Sequence, residues 1–110
     1  MNIMINLDSH RIVYSIEAQM ELDSIEDYLY SEMQFSREYA HNYVEDMKSG
    51  FEKSMLISSP SHYNDHKRHG KYVASYRRNP RTRWYAIYDI LFRYKYIKHI
   101  MNNHTTVKGI

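Results

Sequence analysis

Four arginines, Arg77, Arg78, Arg81 and Arg83, surround an Asn79-Pro80 turn inside the stretch YVASYRRNPRTRWYAIYDI, residues 72–90. Arginine forks match phosphate oxygens bidentately and stay charged at any working pH. Tyr85 lies two residues beyond Arg83, and His99 follows on the next strand-like run. Histidine has the pKa range for proton transfer, and a tyrosine can stack on a base or act as a weak acid. Such residues suit one reaction in particular, the metal-free cutting of RNA by attack of a 2′-OH on the adjacent phosphate. That reaction needs an acid/base pair and positive charge to stabilise the pentacovalent phosphorane.

Strand alternation decides which of these side chains can meet. Val73, Ser75 and Arg77 share one face of their run, and Tyr72, Ala74 and Tyr76 the other. Trp84, Ala86, Tyr88 and Ile90 make a core-facing set, opposite Arg83, Tyr85, Ile87 and Asp89. Ile97, His99 and Met101 are expected to oppose Tyr96, Lys98 and Ile100. In simple register Arg77, Tyr85 and His99 converge on the face away from the core, with Arg83 flanking them. Lys67, Arg68, Lys71, Arg78 and Arg81 are the surrounding cations expected to hold RNA. The same residues also fit a plainer reading: Tyr85 as strand packing, His99 as a surface histidine, and the arginines as a solvated edge that discourages strand-to-strand aggregation.

Other chemistries lack their signatures. There is no Gly-rich phosphate loop and no zinc-like Cys/His spacing. His66-x-x-His69, beside Asp65, reads as a solvated basic loop rather than a metal site. Neither metal nor cofactor is expected.

The elements that must position these residues follow from periodicity. RIVYSIE (11–17) alternates as a short strand. Ala18, Leu22, Ile25 and Leu29 then set a helical period over about 17–31. Ser36 is a plausible N-cap for a second helix over about 36–57, marked by Ala40, Tyr43, Val44, Met47, Phe51 and Met55. Gly50 inside it costs about 1 kcal/mol relative to Ala, which close packing can offset. Pro60 ends the helix. Residues 61–70 read as a loop, and strands are predicted over 71–78, 83–90 and 93–101. The expected fold is α+β, β-α-α-β-β-β, an antiparallel sheet with a two-helix hairpin on one face and the other face at least partly open.

At 110 residues the chain is read as one domain, residues 1–110. Its twelve tyrosines suit half-buried positions in a thin fold. The absence of cysteine, of a signal-like N-terminus and of any long apolar run predicts a soluble cytoplasmic protein with no membrane partner. The net charge of +2 hides a division. Residues 1–60 carry 4 Lys/Arg against 11 Asp/Glu, and residues 61–110 carry 11 against 2. The asymmetry points to a polyanionic partner for the second half, unless the two halves simply neutralise each other in the fold.

AQMELDSIEDYL (18–29), AHNYVEDMKSGFEKSMLISSP (40–60), YRRNPRTRWYAIYDI (76–90) and YKYIKHIMNN (94–103), taken in order and spacing, resemble the RelE/ParE superfamily of bacterial toxins. The resemblance covers roughly residues 11–104. It implies the toxin of a type II toxin–antitoxin pair, held inactive by a cognate antitoxin protein. RelE-like members cut mRNA on the ribosome without metal and so inhibit translation; ParE-like members inhibit DNA gyrase. A catalytically degenerate member acting by protein binding is a third possibility. Arg77 matches the family's arginine at the end of the first meander strand. Val73 and Ser75 stand where RelE itself carries lysines. Tyr85 stands where the second strand carries its catalytic arginine, with Arg83 two residues earlier on the same face. Asn102, Asn103 and His104 fall where basic residues follow the last strand, and only His104 among them can carry charge. No C-terminal tyrosine matches the family's. His99 lies on the matching face but at no position that RelE uses. Taken together with the strand-face reading, the expected catalytic set is Arg77, Arg83, Tyr85, His99 and His104.

Overall fold

A computed structural model describes residues 11–57, 61–62 and 70–103. The elements run β1 (Arg11–Tyr14), α1 (Ile16–Ser31), α2 (Arg37–Ile57), β2 (Ser61–His62), β3 (Tyr72–Asn79), β4 (Thr82–Leu91) and β5 (Tyr94–Asn102). The fold is α+β: two helices on one face of a mixed sheet with four main strands. The two-residue β2 lies at the edge, in the order β1-β5-β4-β3-β2.

The first strand is shorter than its alternation suggests because Ser15 leaves it. Its backbone is extended (φ −66°, ψ 166°) and its Oγ accepts the Ala18 N–H at 3.0 Å, so it caps α1. The same hydroxyl donates to the Lys98 carbonyl at 3.2 Å, tying the helix start to β5. Ser36 caps α2 as expected, accepting the Tyr39 N–H at 3.0 Å. Both helical periods then bury what they should: Ala18, Leu22 and Leu29 from α1, and Ala40, Val44, Met47, Phe51 and Met55 from α2. They meet Ala74, Trp84, Ala86, Tyr88, Ile97 and Ile100 on the inner face of the sheet.

Three expectations are corrected. The sheet is mixed, because β1 pairs in parallel with β5, Arg11 opposite Tyr94 and Tyr14 opposite Ile97. That pairing joins segments about eighty residues apart and has no local signal. Ser61 and His62, expected in a loop, pair with Val73 and Tyr72. Finally, β5 does not alternate throughout. Ile87 faces His99 while Tyr88 faces Ile97, so Lys98 is an extra, bulged residue. The bulge sends Ile97 to the core and leaves His99 and Met101 on the outer face, so Ile97 and His99 do not share a side.

Gly50 packs against the sheet. A Cβ there would lie 2.7 Å from Tyr76 Cγ and closer still to Cδ1. Since Cγ is the root of the ring, the strand itself would have to move. Gly50→Ala is therefore expected to destabilise by about 1–3 kcal/mol despite its gain in helix propensity, as read by urea unfolding.

Burial also shapes the alkaline limb of stability. Tyr14 donates to Glu52 Oε2 at 2.9 Å, and burial, reinforced by the Glu52 charge, pushes its pKa well up from 10.0. Burial pushes Tyr88 up as well, with the neighbouring Tyr72 adding to it. Lys95 runs the other way: its Nζ donates to the Met55 carbonyl at 2.8 Å, and burial lowers its pKa. The folded state thus favours neutral Tyr14 and Tyr88. Their contribution is full below pH 10.0 and is lost as pH rises past it, while the cost of burying charged Lys95 is relieved towards 10.5. Between about pH 9 and pH 11, Tyr14→Phe and Tyr88→Phe should each flatten the fall of unfolding free energy with pH. A slope unchanged from the parent would remove the assignment.

Candidate nucleic-acid interface

The outer face of the sheet reads as a series of cross-strand rows. At one end Arg77 of β3 stands directly opposite Arg83 of β4, next to Asn103 at the end of β5. Ser75, Tyr85 and Met101 form the next row, and Val73, Ile87 and His99 the one after. Arg77, Tyr85 and His99 therefore lie on a diagonal across three strands, each about 7–8 Å from the next between backbones. Tyr85 is in the middle. A concavity of about 90 Å³ is lined by Arg77, Arg81, Arg83, Tyr85 and the turn residues between them. His99 stands outside that concavity, one row further on.

The arginine row is electrostatically unfavourable as it stands. Arg77 and Arg83 are both exposed, and like charges directly opposite one another destabilise a strand pair. Among the described residues no carboxylate forms an ion pair with Arg77, Arg81 or Arg83. The turn that presents them is built closely. Asn79 Oδ1 accepts the N–H groups of Arg81 and Thr82, each at 2.9 Å, an Asx turn that suits the Asn-Pro pair. Asn103 binds the hairpin from β5: its Oδ1 accepts Arg83 N–H at 3.2 Å, and its Nδ2 donates to the Arg81 carbonyl at 3.0 Å.

His99 is held from the helix side. Its Nδ1 lies 3.3 Å from Glu21 Oε2, and Glu21 Oε1 accepts the Ile100 N–H at 2.7 Å. Glu21 thus occupies the edge of β5 beyond the end of β1 and orients the imidazole together with the strand. A histidine backed by a carboxylate can exchange a proton at its other nitrogen.

The remaining cations divide. Arg81 is exposed on the turn beside the arginine row. Arg78 points to the opposite side of the sheet. Its guanidinium lies 4.1 Å from the centre of the Tyr43 ring and 3.3 Å from Asp46 Oδ2, and it donates to the Tyr39 and Tyr76 hydroxyls. Trp84 Nε1 donates to the Tyr43 hydroxyl beside it. Arg78 therefore joins α2 to β3, away from the Arg77 face. Lys71 is exposed before the start of β3, roughly 20 Å of strand away from Arg77. Lys67, Arg68 and His104, and the His66–His69 pair, lie outside the described residues. Asn103 and Glu21, which organise this face, carried no signal of their own, since both act across long sequence separations.

The comparisons with known proteins find no matching family model, no matching curated protein and no matching solved structure. Among the described residues no helix is long and apolar enough to cross a membrane.

Proposed function

We propose that this chain is a toxin of the RelE/ParE type that cuts mRNA on the ribosome without metal and is restrained by a cognate antitoxin. The observation that carries the reading is the directly opposed Arg77–Arg83 pair beside Tyr85, with which no carboxylate among the described residues forms an ion pair. An RNA phosphate would relieve that repulsion, and two guanidinium groups suit the extra charge of a phosphorane. The attacked phosphate lies over Tyr85, within reach of Arg77 and Arg83 from one side and His99 from the other. His99 takes the 2′-OH proton, Glu21 holding the ring. The 2′-oxygen bonds to phosphorus, and the 5′-oxygen leaves with a proton supplied by Tyr85 or water. The products are a 2′,3′-cyclic phosphate and a 5′-OH end.

Primer extension on a reporter mRNA in a cell-free translation reaction tests it. Ribosome-dependent cuts are expected with the parent protein and lost with Arg77→Ala/His99→Ala. Intact mRNA with normal translation would sink the reading. The length of the helices, 16 and 21 residues, favours a ParE-like gyrase inhibitor as the second reading. In that case helix substitutions should outweigh sheet substitutions in a supercoiling assay.

A further inference from the structure

The outer face has a second end, roughly 27 Å along β4 from Arg83. There Arg11, Tyr94 and Leu91 form one row, and Val13, Tyr96 and Asp89 the next. Val13, Leu91, Tyr94 and Tyr96 line a wholly apolar concavity of about 280 Å³. Beside it the β4–β5 turn carries Phe92, which is 87% exposed and has φ +56°. A bulky side chain in the left-handed region is strained, and an exposed aromatic gains little from burial. Phe92 is thus costly on both counts, and strain of this kind at an exposed residue is a pointer to function.

Two further features say what covers this end. Arg11 and Arg93 are exposed beside the apolar surface, and among the described residues no carboxylate forms an ion pair with either. Moreover, among the described residues β1 lies at one edge of the sheet. The Arg11 N–H donates to the carbonyl of Arg93, just before β5, and the Ser15 N–H to that of Ile97 in β5, so strand alternation turns the backbone groups of Ile12 outward, to the side away from β5. An outer strand edge recruits an extended segment through main-chain hydrogen bonds, while pockets for alternate side chains give specificity. A second copy docked face to face would bring arginines against arginines. A lipid surface would use the exposed Phe92 but has no need of a concavity.

We propose that the edge of β1, the Val13–Tyr96 concavity and the Phe92 tip form a docking surface for an extended acidic segment of a partner protein. One apolar side chain of the segment fills the concavity under Phe92, and flanking carboxylates meet Arg11 and Arg93. The proposal rests on the far end of the sheet and stands apart from the reading of the Arg77–Arg83 hairpin.

The probe is an end-capped twelve-residue peptide alternating glutamate with valine, added to the full chain and followed by amide NMR shifts and hydrogen exchange. Shifts are expected at Arg11–Tyr14 and Leu91–Tyr96, with new exchange protection at the Ile12 amide. Phe92→Gly, which removes the strain, should raise Tm yet weaken binding about tenfold or more, as should Arg93→Glu. The rise in Tm separates lost contacts from misfolding. The proposal fails if no shifts appear, if shifts map to the Arg77–Arg83 hairpin, or if a lysine-for-glutamate peptide binds equally well. It fails equally if Phe92→Gly binds as the parent does, or if phosphatidylserine vesicles, and not the peptide, bind through Phe92.

Discussion

Arg77→Ala/Arg83→Ala is expected to bind a single-stranded RNA oligonucleotide about ten- to a hundredfold more weakly than the parent at moderate salt, while unfolding at the same or higher urea concentration. The two halves of that outcome come from the same geometry. The arginines stand directly opposite each other on exposed strand positions, so removing both relieves repulsion and stabilises by roughly a few tenths of a kcal/mol. Their charge is useful only to an anion. Each arginine that neutralises a phosphate also contributes about 0.7 to the slope of log K against log salt for a single strand, so the double variant should lose roughly 1.4 from that slope. Arg78→Ala is the control. It breaks the contacts with Asp46, Tyr39 and the Tyr43 ring, so it should lower stability and leave the salt slope alone. An unchanged affinity and slope in the double variant would remove the anion site. A fall in stability matching that of Arg78→Ala would make the pair structural.

The largest effect on folding is expected at Phe51, where truncation to Ala should cost about 3–5 kcal/mol by urea unfolding. Phe51 is fully buried and belongs to the cluster that α2 and the inner sheet face share with Leu22, Met47, Trp84 and Tyr88. Its ring cannot be replaced by a neighbour, because Gly50 holds α2 close to the Tyr76 ring on one side and Arg78 holds it on the other. A domain of this size has a total stability of about 5–15 kcal/mol, so the variant should be partly unfolded in mild urea. A loss below about 1 kcal/mol would mean that α2 does not pack on the sheet through this face. Phe51→Leu should recover most of the loss, because it restores apolar volume without new polar groups.

Much of this was legible in the chain because it depends on neighbours in sequence. The i, i+4 spacing from Ala18 to Leu29, the cap at Ser36, the Asn79-Pro80 turn and the Trp84-Ala86-Tyr88 alternation are local choices. Each was recovered within a residue or two. So was the side of the sheet that carries Arg77, Arg83 and Tyr85, since alternation in β3 and β4 runs unbroken from Tyr72 to Arg77 and across their partners. Where a competing local option existed, the tertiary contact chose. Ser15 fits a strand by pattern, yet its hydroxyl serves both the α1 N-terminus and the Lys98 carbonyl, and so it ends β1.

What the tertiary structure alone decided are the features whose free energy is spread over distant segments. The bulge at Lys98 separates Ile97 from His99, and no residue type in YKYIKHI announces it. It falls where the far edge of β5 passes from β1 to the Glu21 carboxylate. The same bulge puts His99 on the outer face although Ile97 lies in the core, on a diagonal with Tyr85 and Arg77. Arg78 belongs to the arginine-rich turn by sequence and to the helix layer in space, because one step along a strand reverses the face. Arg11 and Phe92 join one surface because β1 runs parallel to β5 beside the β4–β5 turn. Local preference thus set the elements and their inner and outer sides. Register, which one extra residue can shift, determined which side chains meet.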